Sequence, residues 1–348
     1  MSALASHLAP HAGVLAALDA SLADVARVFD DQLRSPLAPV QNLVEHVERY
    51  RGKMLRPMLV LLSGMAAAAD RTAASPDQLR TLITRQHLVV AATVEMLHMA
   101  TLVHDDVLDE ADVRRKGLTV NKLHGNEPAV ILGDYLIASA YHLCATLPEV
   151  GPSRAIGRAA VLTASGELLQ LHNRGNLDLS EATYFEIIRG KTAELIATAC
   201  RLGADASGAD ESRVLAMTEF GLAIGSAFQI QDDILDLLGD QAVVGKSLGK
   251  DIEKGKLTLP VIRYLASRAP EQRAAARERL APLCSTGASP EHLAAFVRDV
   301  VSSGAVASAQ ATAASLIARA KEQLRTLPAS AARDALSSLA DAVLERSS

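Results

Sequence analysis

The sequence predicts an all-α fold carried by a single domain, and three observations lead there. Sustained polar/apolar alternation, the mark of half-buried strands, is nearly missing from the 348 residues. No proline occurs between Ser153 and Leu259, which leaves room for long helices with few breaks. Apolar residues make up 49% of the chain but aromatics only 3%, with no Trp, so small and aliphatic side chains must fill the core. No Gly/Ser run, Pro-rich tract or block of like charge divides the chain. One domain over residues 1–348 is expected, with N-terminal helices over 1–47 and the core and C-terminal helices over 48–348.

The elements follow in order. Residues up to Val47 read as one or two amphipathic helices, interrupted near Pro36 and Pro39. Arg51, Gly52 and Lys53 form a turn. Pro57 stands where a helix can start, since its missing N–H is no loss in a first turn. A helix runs from about Pro76 to Asp109, and Glu110 to Gly125 is a polar, basic loop. Pro128 precedes an apolar helix through Leu143. Further helices cover Arg154 to His172, Ser180 to Leu202 and Asp210 to Leu238. Gly239 to Gly255 is a loop rich in Gly, Lys and Asp. The next helix spans Thr258 to Ser267, with Pro260 in its first turn. From about Pro270 the Ala-rich remainder is helical, broken near Pro282, Pro290 and Pro328.

A formal net charge of −5 gives no bulk attraction for nucleic acid. The cysteines Cys144, Cys200 and Cys284 have neither metal-ligand spacing nor an even disulfide count, so buried thiols in a reducing compartment are expected. Met1 to Leu22 lacks the basic start and continuous apolar run of a signal peptide. No apolar run reads as long enough to span a bilayer. A soluble, cytoplasmic protein without stable membrane insertion is the expectation.

Two segments carry the chemistry. His104-Asp105-Asp106-Val107-Leu108-Asp109 and Gln231-Asp232-Asp233-Ile234-Leu235-Asp236 lie inside apolar helical patterns. Positions i and i+4 share a helix face, so Asp105 with Asp109, and Asp232 with Asp236, form two-carboxylate pairs. A lone motif of this kind is as readily a solvated acidic turn. Two copies flanked by Leu102, Val103, Phe228 and Ile230 are not, because solvated faces do not sit in apolar surroundings. Grouped carboxylates repel unless cations neutralise them, and hard oxygen ligands suit Mg²⁺ completed by water and phosphate. Basic residues supply the counterpart: Lys53 and Arg56, Arg114 and Arg115, Lys191, and Lys246 and Lys256 on either side of Asp251. Singly each reads as surface charge. Together they suit a polyanion such as a diphosphate. His98 and His104 are ambiguous between structural and functional roles. No Ser/His/Asp or Cys/His arrangement and no Walker-type loop is evident.

These segments, with Gly133-Asp134-Tyr135-Leu136, Gly190-Lys191-Thr192-Ala193 and Gly255-Lys256…Thr258-Leu259-Pro260, resemble the trans-isoprenyl diphosphate synthase (polyprenyl synthetase) family. The resemblance covers most of the chain and implies a bundle of long helices around a central cavity, the isoprenoid synthase fold. It implies that Asp105, Asp109 and Asp232 hold Mg²⁺, three ions per active site, with Asp106, Asp233 and Asp236 supporting the cluster. Arg114, Lys191, Lys246 and Lys256 would hold an allylic diphosphate. Lys53, Arg56, His98 and Arg115 would hold isopentenyl diphosphate, and Thr192 and Gln229 would face the developing allylic cation. A homodimer is implied as well.

The implied reaction is a Mg²⁺-dependent head-to-tail condensation of these two diphosphates. Ala100 and Thr101, one turn before Asp105, stand where short-chain members tend to carry aromatic plugs, and both are small. A medium- to long-chain all-trans product is therefore expected, with a geranylgeranyl product as the alternative. A terpene cyclase would mix Asn, Ser or Thr with Glu in its second metal motif, unlike Asp232-Asp233…Asp236. A silent subunit of a heteromeric synthase would tend to lose aspartates, and the basic residues argue against a mere cation-binding protein.

Overall fold

The structure, a computed structural model, describes residues 7–48, 52, 54–68, 75–114, 117–238, 248–285 and 287–346. It is built almost entirely of helices. The first three are α1 (Ala12–Leu33), α2 (Ala38–Glu48) and α3 (Leu55–Ala67), followed by α4 (Pro76–Thr81) and α5 (Arg85–Leu108). A small antiparallel ribbon, β1 (Val113–Arg114) with β2 (Gly117–Leu118), and α6 (Val120–His124) occupy the expected polar loop. Next come α7 (Asn126–Cys144), α8 (Val150–His172), α9 (Glu181–Ile188), a π-helical turn (Arg189–Ala193), α10 (Glu194–Ala206) and α11 (Glu211–Leu238). The remainder comprises α12 (Lys250–Glu253), α13 (Leu259–Ala266), α14 (Pro270–Leu280), α15 (Pro290–Ser302), α16 (Ala305–Gln323) and α17 (Ala331–Leu344).

Two of the expected helices are interrupted, for identifiable reasons. The helix expected from Pro76 to Asp109 is two helices. Thr84 and His87 form a capping box, with the Thr84 N–H donating to His87 Nδ1 at 3.1 Å, and this starts α5 afresh. The helix expected from Ser180 to Leu202 holds the π-helical turn at Arg189–Ala193. Single-turn π-bulges of this kind recur at functional sites.

At the centre, α5 packs on α1, α3, α7 and α10. Most of the stretch from Val89 to Ala100 is buried, as befits a helix that is apolar all round. Against the expectation that no apolar run suffices, α5 is long and apolar enough to cross a bilayer, although 72% of its most apolar window is buried in protein. That burial accounts for its composition. The other central pairings are α10 against α3 and α11, and α11 against α16. The two aspartate motifs thus ride at the C-terminal ends of two central helices, α5 and α11.

Candidate active site

Helical periodicity splits each motif between core and cleft. In the first, Asp106 points inward with its side chain 2% exposed, whereas Asp105 and Asp109 remain about a quarter exposed or slightly less, at 24% and 21%. Arg114, from β1, encloses Asp106: its Nε lies 2.9 Å from both carboxylate oxygens and an Nη 2.7 Å from one. In the second motif Asp233 points inward. It accepts from the Tyr184 hydroxyl at 2.6 Å and from the Gln229 amide at 3.0 Å. Asp236 accepts the backbone N–H groups of Lys250 and Asp251, both at 3.1 Å, and so anchors the short helix α12. The oxygens of Asp106, Asp233 and Asp236 are thus already engaged by other protein groups.

The cations converge from several elements. Lys256 donates to both oxygens of Asp109, at 3.0 and 3.1 Å, and Lys254 and Arg174 reach the same carboxylate at 3.0 and 3.1 Å. Burial pushes Asp109 upward, but Lys256 and Lys254 outweigh it and hold the carboxyl below its usual range. Lys191 sits on the π-helical turn. It pairs with Glu167, donates to Gln170 at 3.0 Å and lies 3.8 Å from Asp105. Burial lowers its affinity for a proton, and Asp105 and Glu167 more than restore it. Asp232 is paired with Arg346 at 2.7 Å, and the Arg346 guanidinium stacks 4.1 Å from the Phe228 ring centre. The part-buried Arg56 is held electrostatically by Glu95 and Asp232, and its Nε is buried with no hydrogen-bond partner.

Two glycines bring the lysine into place. A Cβ on Gly166 would stand 2.5 Å from the Lys191 backbone nitrogen, and one on Gly190 would stand 2.8 Å from the Leu162 carbonyl oxygen. Side chains at either position would force α8 and the π-helical turn apart. Beside them lies a cavity of about 160 Å³ whose lining includes Tyr184, Lys191, Thr192, Gln229, Asp233 and Lys256. Thr192 donates to the Gln229 side-chain carbonyl at 2.8 Å in its lining.

The structure thus brings together Asp105, Asp109, Lys191 and Lys256, and separately Arg56 and Asp232. His98 is part-buried on α5, two turns before Asp105. Ala100 is fully buried, the Thr101 hydroxyl turns back onto the His98 carbonyl at 2.7 Å, and neither lines the 160 Å³ cavity. His104 contacts the Val130 carbonyl and fits against Gly133, a packing role. Lys53, Arg115 and Lys246 lie outside the described residues. Sequence reasoning passed over Glu167, Gln170, Arg174, Lys254, Tyr184 and Arg346. Glu167 and Gln170 share the (i, i+3) face of α8, the one local signal available. Arg346 is more than a hundred residues from Asp232, and no local pattern marks it.

Among the described residues no three His, Cys, Asp or Glu side chains form a ready ligand group. The donor set nevertheless fits a hard divalent cation completed by water and phosphate oxygens. Burial raises Asp105 and Asp232 despite Lys191 and Arg346. Burial and the charge of Asp251 raise Asp236 to about 7, and the same two causes raise Asp233. These carboxylates are short of positive charge, and added cations would supply it.

Residues 38–297 match the polyprenyl synthetase family. The chain belongs to that family. As a family member it is a prenyltransferase of the polyprenyl diphosphate synthase type. It is 34% identical to the all-trans-nonaprenyl-diphosphate synthase (geranyl-diphosphate specific) of Rhodobacter capsulatus, over 97% of each chain. Its structure is similar to a decaprenyl diphosphate synthase from the same organism, with TM-score 0.86 and 33% identity, covering 97% of this chain and 100% of that one. It is also similar to a polyprenyl synthase from Caulobacter crescentus complexed with calcium and isoprenyl diphosphate, with TM-score 0.84 and 34% identity, covering 95% and 96% of the two chains. The family's fold is the helical bundle expected from the sequence.

Proposed function

We propose that this prenyltransferase elongates an allylic diphosphate with isopentenyl diphosphate, head to tail, to a medium- or long-chain all-trans polyprenyl diphosphate. The observation that carries the reading is the gathering of cations on the two aspartate motifs, above all Lys256, Lys254 and Arg174 on Asp109 and Arg346 on Asp232. Similarity to a nonaprenyl and a decaprenyl diphosphate synthase supports the chain length, as do the small side chains of Ala100 and Thr101.

Mg²⁺ is the proposed cofactor, held by Asp105, Asp109 and Asp232, and supplies Lewis-acid neutralisation of the departing diphosphate. Lys191 and Lys256 already stand beside these carboxylates and would hold the allylic diphosphate from the protein side. Arg114, which holds Asp106 through Nε and one Nη, would join them. Arg56, part-buried with its Nε lacking a hydrogen-bond partner, would take the isopentenyl diphosphate with His98. Thr192 and Gln229 present oxygens to the cavity where positive charge develops. Burial of the site would keep water from that charge. The proton lost on forming the new bond goes to the released diphosphate.

A homodimer is part of the proposal. Ile131 on α7, and Val161 and Leu168 on α8, are 65–66% exposed and give these neighbouring helices apolar outward positions for a second copy to cover. The test of the chemistry is incubation with isopentenyl and farnesyl diphosphates, with Mg²⁺ or with excess chelator. Elongation should require the metal, and full-rate elongation in chelator would refute the reading.

A further inference from the structure

Four side chains form one directed hydrogen-bond chain beside the 160 Å³ cavity. Tyr184, 3% exposed on α9, donates its hydroxyl to Asp233 Oδ2 at 2.6 Å. The Gln229 NH₂ donates to Asp233 Oδ1 at 3.0 Å. The Thr192 hydroxyl donates to the opposite end of that amide, Gln229 Oε1, at 2.8 Å. Asp233 takes two hydrogen bonds and gives none in this arrangement.

The direction has a chemical consequence. An amide has one donor end and one acceptor end. Asp233 claims the donor end, so the carbonyl of Gln229 must face Thr192 and the cavity. That carbonyl in turn claims the only hydroxyl proton of Thr192. Both Thr192 Oγ and Gln229 Oε1 then keep lone pairs for the cavity and offer it no proton. With Gln229 flipped, its NH₂ would face the cavity and repel a cation.

We infer that Tyr184 and Asp233 are positioning residues that fix the polarity of Gln229 and Thr192, so that the cavity wall presents oriented oxygen dipoles to the allylic cation. The inference rests on the proposed condensation and deepens it. Dipoles fixed before the reaction need no reorganisation when charge develops, which is how such groups accelerate a step. Both residues line the same cavity, and the proposed effect runs through the Gln229 amide that Asp233 holds. Asp233 therefore serves the reaction through the Gln229 amide.

The test uses the full-length enzyme with Tyr184→Phe and Asp233→Asn. In Asp233→Asn the partner of Gln229 gains a donor of its own, and the amide loses its fixed orientation. Turnover should fall roughly ten- to a hundredfold, the range seen when a supporting hydrogen-bond partner is removed. The KM for the allylic diphosphate and the Mg²⁺ concentration for half-maximal rate should not move. A second readout is binding of an ammonium analogue of the allylic diphosphate relative to its uncharged carbon isostere. Wild type should prefer the ammonium compound, and both variants should lose that preference while binding the isostere unchanged. Tyr184→Phe removes one hydroxyl and keeps the ring, so it serves if Asp233→Asn does not fold. Equal loss of both analogues, an altered Mg²⁺ requirement or an unchanged kcat would overturn the inference while leaving the condensation standing. A wild type that condenses nothing would overturn both.

Discussion

Lys256 donates to both carboxylate oxygens of Asp109, at 3.0 and 3.1 Å, and thereby ties the segment after the second aspartate motif to the end of the first. The Lys256 side chain is only 11% exposed. Its backbone N–H also donates to the Asp251 carbonyl at 2.7 Å, so the segment behind it is fixed as well. Lys256→Ala should lower kcat/KM for the allylic diphosphate by roughly ten- to a hundredfold, as expected for a charge-assisted contact worth about 1.5–3 kcal/mol. Steady-state kinetics at saturating isopentenyl diphosphate would measure it. An effect confined to isopentenyl diphosphate would contradict this placement.

Asp232 and its partner Arg346 should behave unequally. Asp232→Ala removes a proposed metal ligand and should cost on the order of a hundred- to a thousandfold in turnover, the scale of losing one charge-stabilising group in a site. Its melting temperature should change little, since the pair lies at the edge of the cleft. Arg346→Ala should be far milder in turnover, because the tail arginine neutralises Asp232 only until a cation replaces it. Parallel assays and melts of the two variants would check the contrast. Equal losses in the two would contradict it.

Gly166 sets the contact between α8 and the π-helical turn. Gly166→Ala would put a methyl group 2.5 Å from the Lys191 backbone nitrogen, where one helix has to move. Overpacking of this kind costs about 1–3 kcal/mol. The melting temperature and the turnover should fall together, because the displaced residue is a proposed diphosphate ligand. Unchanged activity in a destabilised Gly166→Ala protein would show that Lys191 is not tied to this contact.

Stability should fall on mild acidification for a reason far from the site. His87 is fully buried between Thr84, Gly203 and Ser207, and burial lowers its pKa from 6.5 to about 4. Between those values the unfolded chain binds a proton that the folded chain refuses. Its contribution is therefore complete above pH 6.5 and is lost as pH falls towards 4, by roughly 3 kcal/mol. Chemical denaturation of wild type and His87→Gln across this window should show a steeper slope for wild type. Parallel slopes would contradict the assignment.

Much of this organisation was legible in the chain, and the reasons are local. Apolar periodicity and proline positions mark the long helices, and (i, i+4) spacing pairs Asp105 with Asp109. The same periodicity turns Asp106 and Asp233 inward. What the sequence hides is long-range. Nothing near Lys191 indicates that Glu167 and Gln170 flank it, because the close approach of Gly166 and Gly190 brings them there. Nothing near Asp232 points to Arg346, and the π-helical turn at Arg189–Ala193 has no signature in composition. The break before α5 was readable in principle from Thr84 and His87, but His at the third helical position is not the usual Glu or Gln.

The most direct test is the product made from farnesyl diphosphate, isopentenyl diphosphate and Mg²⁺, resolved by chain length for wild type and Ala100→Phe. Wild type should give all-trans products longer than geranylgeranyl. Ala100→Phe should continue condensing but stop at farnesyl or geranylgeranyl length, because a ring at this fully buried position must push its neighbours into the space proposed for the growing chain. A wild type that stops at geranylgeranyl diphosphate, or an Ala100→Phe enzyme with unchanged product length, would contradict the chain-length reading. No Mg²⁺-dependent elongation at all would contradict the account as a whole.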